Sequence, residues 1–206
     1  MNGGAFRRRC CHCLMTPTTT LTPETTMADV LAAFPGARRA LFRKYHMGGC
    51  SSCGFTPTET LAQLCERNGR LNVTEVMAHI QTSHQSDRQL EIEPKEVAER
   101  RARGERLRLL DLRTREEWDA VHLEGAEFVK QELIQRLMGQ EGREGLLVFY
   151  DHAGQSSLDA AAYFAGHGFD NVRYLRGGID AWSRDVDPQV PRYRLETQPA
   201  ATAGEP

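Results

Sequence analysis

The chain has 206 residues, which is long enough for one large domain or two small ones. Its residues are 40% hydrophobic and 26% charged, as in an ordinary soluble globular protein. A net charge of −2 gives no reason to expect nucleic acid as a partner, and no apolar run approaches the roughly 20 residues of a membrane span. The basic start of the chain lacks the apolar core of a secretory signal, so we expect a cytoplasmic protein without a membrane partner.

All six cysteines lie in the first third of the chain, and the remainder contains none. In an intracellular protein, clustered cysteines indicate redox or metal chemistry more than structural disulfides. The cysteines are Cys10, Cys11, Cys13, Cys50, Cys53 and Cys65.

The first part of the chain is predicted to be a tail followed by a small helical unit. Residues 1–25 are rich in Thr, Pro, Gly and Arg, which predicts a disordered tail. Residues 26–84 show helical spacing of apolar residues, and the predicted helices start at Thr26, Ala37, Thr56 and Asn72. In the third of these helices, Thr56 is the expected N-cap, with Pro57 at the first helical position and Glu59 completing the capping box.

The second part of the chain alternates strands and helices. Residues 85–90 lie in a polar run that predicts a linker, and residues 91–190 form the second predicted domain. Continuous apolar strands alternating with helices imply a parallel sheet that is covered on both faces. Residues 191–206 are predicted to be extended or disordered. The predicted strands are 107–113, 146–150 and 172–175, and the predicted helices are 94–103, 115–120, 131–138, 158–167 and a short one from Ile179.

Three motifs in residues 88–190 resemble the rhodanese family. They are LLDLRTREEW, HLEGA and GFDNVRYLRGGIDAW, and they stand in the order and spacing of that family's L-I-D-V-R-x-x-x-E, H-I-P-G-A and G-G-I-x-A-W patterns. The resemblance implies an α/β fold with a rhodanese-like parallel sheet and helices on both faces. A small all-α domain precedes it. A shared fold says less about activity.

The loop after the central strand departs from the family pattern C-x-x-G-x-R-S. The resemblance places Asp151 at the position of the persulfide-carrying cysteine and Ser156 at the position of the arginine, and a carboxylate cannot carry a sulfane sulfur. Three interpretations remain open: a vestigial loop in which Asp151 caps the next helix, a docking surface for a protein, and a hydrolytic site that uses Asp151 with His152. The loop consists of Asp151, His152, Ala153, Gly154, Gln155, Ser156 and Ser157.

The helical segment 26–80 resembles a second family, the small redox-disulfide domain associated with hybrid-cluster proteins. The resemblance places Cys50 and Cys53, the C-x-x-C pair of the segment GGCSSC, on the family's cysteine positions. A C-x-x-C pair can cycle between dithiol and disulfide, can supply half of a tetrahedral zinc or iron–sulfur site, or can be structurally inert. Cys65 follows a helical apolar position and is expected to be a core residue.

Taken together, these patterns predict a protein of sulfur or iron–sulfur metabolism. Its rhodanese-like domain is expected to be inactive as a thiosulfate sulfurtransferase, and Cys50 and Cys53 are the candidate catalytic thiols. The alternatives are a sulfurtransferase that carries persulfide on Cys50 or Cys53, and a module that binds a metal ion or an iron–sulfur cluster. The expected partner is a protein of sulfur or iron–sulfur trafficking.

Overall fold

The computed structural model describes residues 20–48, 54–139 and 143–193. Helices alone make up the first part of the described chain, and strands alternate with helices from residue 91 onward. The elements are α1 Met27–Ala33, α2 Ala37–Tyr45, α3 Leu61–Arg67, α4 Val73–Arg88, β1 Glu91–Ile92, α5 Pro94–Ala102, β2 Leu107–Asp111, α6 Arg115–Ala120, β3 Ala126–Phe128, α7 Gln131–Met138, β4 Leu146–Tyr150, α8 Gln155–Gly166, β5 Val172–Leu175 and α9 Gly178–Asp185.

The four N-terminal helices pack around a core of their own. Apolar side chains recur on one face of each helix, and burying these faces together stabilises helices too short to persist alone. Met27, Leu41 and Leu64 are completely buried or nearly so, and Cys65 is only 2% exposed. The prediction that Cys65 belongs to the core is therefore confirmed.

The five strands form one parallel sheet in the order β1-β5-β4-β2-β3. Side chains on β4 alternate between the two faces of the sheet, as the pleat requires. Leu147 and Phe149 pack with α7 and α8, whereas Val148 and Tyr150 pack with α5 and α9. This architecture confirms the predicted α/β fold with helices on both faces, and β4 lies at the centre of the sheet.

The start of α3 differs from the prediction. Thr56 was expected to cap this helix with Glu59, but these residues form a turn in which the Glu59 N–H donates to the Thr56 carbonyl at 3.2 Å. The N-cap is Thr60, which forms a capping box with Gln63 at 3.2 and 2.9 Å. Both threonines fit the capping pattern, and the bridge between Thr60 and Thr26 selects the second.

Other differences concern segments for which the sequence pattern predicted neither helix nor strand. The polar run expected to contain the linker is helical, since α4 continues to Arg88 and its last turn is held by an ion pair between Asp87 and Arg39. Leu21, in the expected tail, is 3% exposed because it packs on the helical core. The short strands β1 and β3 were not predicted, and α8 begins at Gln155 rather than Leu158. The predicted domain boundaries stay predictions.

Candidate functional site

The candidate site is the loop between β4 and α8. Asp151 directly follows the completely buried end of β4, and its side chain is only 8% exposed. Its carboxylate accepts hydrogen bonds from the Gly154 N–H, from the Ser156 N–H at 2.7 Å and from the Ser157 hydroxyl at 3.2 Å. The loop therefore folds around the carboxylate of its own first residue.

The position of this carboxylate is favourable for a negative charge. It lies at the N-terminus of α8, where backbone N–H groups lack helical partners and the helix dipole is positive. Hydrogen bonds to an ionised acceptor are roughly twice as strong as neutral ones. The amide groups that could cradle an anionic ligand are thus occupied by Asp151.

Glycines allow the loop and the start of α9 to touch backbone to backbone. Gly154 has φ +95°, and a Cβ there would lie 3.1 Å from the Gly177 nitrogen. Gly178 has φ +58°, and a Cβ there would lie 2.3 Å from the Asp151 carbonyl oxygen. The two adjacent glycines of the motif GFDNVRYLRGGIDAW are therefore explained by close contact with the candidate loop.

The His152 ring packs on Tyr193 and is not among the groups that hydrogen-bond the Asp151 carboxylate. The centroids of the two rings lie 4.7 Å apart. The Nδ1 of His152 is buried and has no hydrogen-bond partner among residues 20–48, 54–139 and 143–193. The hydrogen bonds that the Asp151 carboxylate accepts come from other groups. The two side chains do not form the acid–base pair that a hydrolytic site would use.

A network of charged side chains, partly buried, is connected to the loop through Tyr193, whose ring contacts His152. The Arg113 and Asp111 side chains are 1% and 0% exposed and are joined by hydrogen bonds of 2.6 to 3.2 Å. Arg113 also donates to the Tyr193 hydroxyl at 2.6 Å, and this hydroxyl donates to Glu117 at 2.8 Å. Burial and the hydrogen bond to Glu117 raise the pKa of Tyr193 to about 12. The turn after β2 is thus fixed by Arg113, which binds Asp111 and the Val121 carbonyl.

Tyr193 is the residue of this site that the sequence pattern missed. It was assigned to the extended tail, yet it joins the buried network to the His152 ring. The tail is held on the domain by Arg192, which pairs with Asp180 at 2.7 Å, and by the Ser183 hydroxyl, which donates to the Val190 carbonyl at 2.5 Å. An aromatic residue within a polar tail was the available signal.

The exposed part of the loop carries no charge. Ala153, Gln155 and Ser156 are exposed, whereas Asp151 and Ser157 are buried. A molecule that approaches the loop from solvent therefore meets small and neutral side chains, and the negative charge is hidden behind them.

The candidate thiols Cys50 and Cys53 lie outside the described residues. Arg38 contacts the described residues on both sides of them, since it donates to the Gly48 carbonyl at 3.3 Å and its guanidinium lies 4.7 Å from the centre of the Phe55 ring. Burial raises the pKa of the Cys65 thiol, which disfavours its reactive thiolate.

A metal site is not formed by the described part of the chain. Its residues contain no group of three or more His, Cys, Asp or Glu side chains placed to hold a metal ion. Cys65 packs in the helical core and is not available as a further thiolate ligand. In the same residues no helix is long and apolar enough to cross a membrane.

These features define a class of α/β domain. Its parallel sheet has helices on both faces, and an amide-lined loop that can cradle an anion connects the central strand to the next helix. Residues 93–185 match the family model of the rhodanese-like domain. A sulfurtransferase from Allochromatium vinosum is 33% identical over 100 residues, which are 48% of this chain and 94% of that protein. The chain belongs to the rhodanese-like family, and at the family level this relates it to sulfur metabolism.

Longer relatives match the same region. The probable adenylyltransferase/sulfurtransferase MoeZ of Mycobacterium tuberculosis is 33% identical over 104 residues, which cover 50% of this chain and 26% of MoeZ. The adenylyltransferase and sulfurtransferase UBA4 of Candida albicans is 26% identical over 171 residues, which cover 79% of this chain and 38% of UBA4. The chain therefore spans well under half the length of these two relatives.

Among solved structures, the rhodanese-like domain of an Anabaena protein is similar to this chain. The two are 22% identical, and the similarity covers 56% of this chain and 88% of that domain with a TM-score of 0.42.

Proposed function

We propose that this rhodanese-like protein does not transfer sulfur from thiosulfate at its rhodanese loop and that its thiol chemistry takes place at Cys50 and Cys53. The observation that carries the first half is the enclosure of Asp151. A sulfur carrier needs a nucleophilic thiolate. The residue at the family's cysteine position is Asp151, and its carboxylate oxygens accept hydrogen bonds from the N–H groups of Gly154 and Ser156.

The absence of the family's arginine from the loop also indicates that the loop does not transfer sulfur from thiosulfate. The family pattern has an arginine where this chain has Ser156, and an arginine would attract an anionic sulfur donor. Thiosulfate would meet a buried negative charge and no loop cation. The substitution of cysteine by Asp151 and that of arginine by Ser156 therefore act in the same direction, and the loop serves as a scaffold or as part of a docking surface.

The second half of the proposal concerns the C-x-x-C pair. We assign residues 26–84 to the small redox-disulfide type of helical domain because of the motif resemblance. Arg38 contacts Gly48 and Phe55, each two residues along the sequence from a candidate thiol, and a guanidinium that reached either thiol would favour its thiolate form. In the reaction, the two thiols give two protons and two electrons to an acceptor disulfide. Cys50 and Cys53 become linked, and the acceptor becomes two thiols.

The test is a cyanide-trapping assay with thiosulfate. We expect wild type to produce no thiocyanate above the uncatalysed rate. In a second measurement, a low-molecular-weight disulfide is added to the reduced protein. We expect it to convert the free dithiol to a Cys50–Cys53 disulfide, which mass spectrometry after alkylation detects. The variant Cys50→Ser/Cys53→Ser should lose that oxidation. Cys65→Ser is the matched control and should retain it, because Cys65 is buried in the core.

A persulfide carrier at the same pair is the second candidate, and the observation that favours it is the contact of Arg38 with Gly48 and Phe55, which flank the pair in the sequence. One thiolate would attack thiosulfate to give a persulfide and release sulfite, and cyanide would then remove the outer sulfur as thiocyanate and restore the thiolate. Thiocyanate production by wild type that disappears in Cys50→Ser/Cys53→Ser would overturn the scaffold proposal in favour of this one. Zinc or iron found stoichiometrically in anaerobically purified protein would instead support a metal-binding module.

A further inference from the structure

The helices α2 and α8 approach each other, and the seam between them carries exposed aromatic side chains. Phe42 on α2 and Tyr163 on α8 are the large hydrophobic residues that stand exposed in the described part of the chain, at 47% and 53%. Both border this seam. Single exposed aromatic residues are common on protein surfaces, but two of them along one seam need an explanation.

An ion pair between Arg39 and Asp159 spans the seam and divides it into two clefts. The first cleft, of about 630 Å³, includes Phe42 on the α2 side and Gln155 on the α8 side. The second, of about 350 Å³, includes Tyr163. The apolar walls of the two clefts are formed by Leu31, Pro35, Phe42, Ala162 and Tyr163. Each cleft is large enough to receive one or two side chains of another molecule.

The seam is also positively charged. α2 has the sequence ARRALFRKY, with four cations and no acidic residue. Arg39 is paired with Asp87 and Asp159, whereas Arg38 and Arg43 have no carboxylate within 4.0 Å among residues 20–48, 54–139 and 143–193.

We infer that this seam, defined by Arg38, Phe42, Arg43, Gln155 and Tyr163, is a docking surface for an acidic segment of a partner protein that places one apolar side chain in each cleft. Charge complementarity favours an acidic occupant, because Arg38 and Arg43 have no carboxylate partner among the described residues. Aromatic and arginine side chains are the residue types that dominate binding at protein interfaces. Exposed aromatic residues that flank cations therefore favour a protein over a small anion.

The inference does not rest on the chemistry of the cysteines. The surface lies beside the neutral exposed face of the Asp151 loop, so a bound partner would contact both parts of the chain. Binding can be measured on the full-length protein and on Cys50→Ser/Cys53→Ser, and equal affinities would keep this inference separate from the proposed thiol chemistry.

The test uses fluorescence anisotropy with a labelled peptide of glutamates and glycines that carries two phenylalanines. A matched peptide has serine in place of both phenylalanines. We expect the first peptide to bind wild type more tightly and its affinity to fall as salt is added. Phe42→Ala and Tyr163→Ala should each weaken binding roughly tenfold, the usual loss for an aromatic anchor. Arg43→Glu should weaken binding of both peptides.

Arg115→Glu is the charge control, because Arg115 is also exposed and lies on α6, which lines neither cleft. It should bind the peptide as wild type does. Both aromatic side chains are exposed, so circular dichroism should show unchanged folding in the alanine variants. Absence of binding, or equal binding by wild type and Phe42→Ala/Tyr163→Ala, would overturn the inference. Self-association in sedimentation experiments that Phe42→Ala abolishes would overturn it too, by assigning the surface to a second copy of the chain.

Discussion

The carbonyl oxygen of Asp151 accepts a 2.9 Å hydrogen bond from the N–H of Ile179. The next carbonyl, that of His152, accepts from the N–H of Asp180 at 3.3 Å. The first N–H groups of α9 are thus used to hold the backbone of the candidate loop rather than a ligand. The shape of the loop depends on how closely α9 can approach it.

This dependence predicts the effect of Gly178→Ala. The new Cβ would lie 2.3 Å from the Asp151 carbonyl oxygen, and the residue would keep a φ of +58°. Strain and overpacking should together lower the free energy of unfolding by about 2 kcal/mol or more. Gly168→Ala is the control, because its φ is +79° but nothing lies within 4 Å of the new Cβ. Urea denaturation should show a loss of only about 1 kcal/mol there, and equal losses would contradict the packing argument.

Removal of one partner from the buried Asp111–Arg113 pair should be strongly destabilising. Arg113→Met leaves the Asp111 carboxylate, which is 0% exposed, without its cation. The expected loss is about 3–5 kcal/mol in the free energy of unfolding. Because the cost arises from the unpaired charge, Asp111→Asn/Arg113→Met should be less destabilised than the sum of the two single variants. Strict additivity in denaturant titrations would show that the pairing itself contributes little.

Motifs and apolar periodicity predicted most of the second domain because the strands β2, β4 and β5 are apolar and largely buried. The bounds of α6, α7, β4 and β5 agree with the sequence pattern. The sequence also placed Asp151 at the start of the central loop, because the surrounding motifs set the register.

What could not be predicted depends on contacts between residues distant in the chain. The polar last turn of α4 is helical because Arg39, 48 residues earlier, binds Asp87. Tyr193 reaches the site through Arg113, 80 residues away. β1 and β3 have only two and three residues and form because β5 and β2 offer parallel neighbours. Local periodicity carries no information about such pairings.

Asp87 should make stability depend on pH. Burial raises the pKa of its carboxyl above the ordinary 3.8, and Arg39 offsets this only partly. The folded protein therefore keeps this proton to a higher pH than the unfolded chain, so the contribution of Asp87 to the free energy of unfolding falls as pH rises through its folded pKa. Asp87→Asn removes this titration. Its stability relative to wild type should increase as pH rises above about 4, the ordinary pKa of an aspartate.

Glu127→Gln provides the control of opposite sign. The hydrogen bonds from Arg108 lower the pKa of Glu127, so this carboxylate adds stability above its unfolded pKa and loses it as pH falls through the folded pKa. The variant should become less stable relative to wild type as pH rises from the folded pKa of Glu127 to its ordinary value of 4.5, and the difference should change little at higher pH. Thermal or urea unfolding at several pH values measures both, and parallel curves for the two variants would show that the assigned signs are wrong.

Restoring a thiol to the loop should show separately what the missing cysteine and the missing arginine contribute to the inactivity of the rhodanese site. Asp151→Cys places the sulfur near the N–H groups of Gly154 and Ser156, which favour a thiolate. Without a cation for the donor, this variant should produce little thiocyanate from thiosulfate and cyanide. Adding Ser156→Arg supplies a charged hydrogen bond on an exposed position of α8, and this should raise the rate roughly tenfold or more. The assay is best run in a Cys50→Ser/Cys53→Ser background, which removes any contribution from that pair. If Asp151→Cys alone reached the rate of the double variant, the amide cradle would be sufficient for transfer and the missing arginine would not be part of the reason for inactivity.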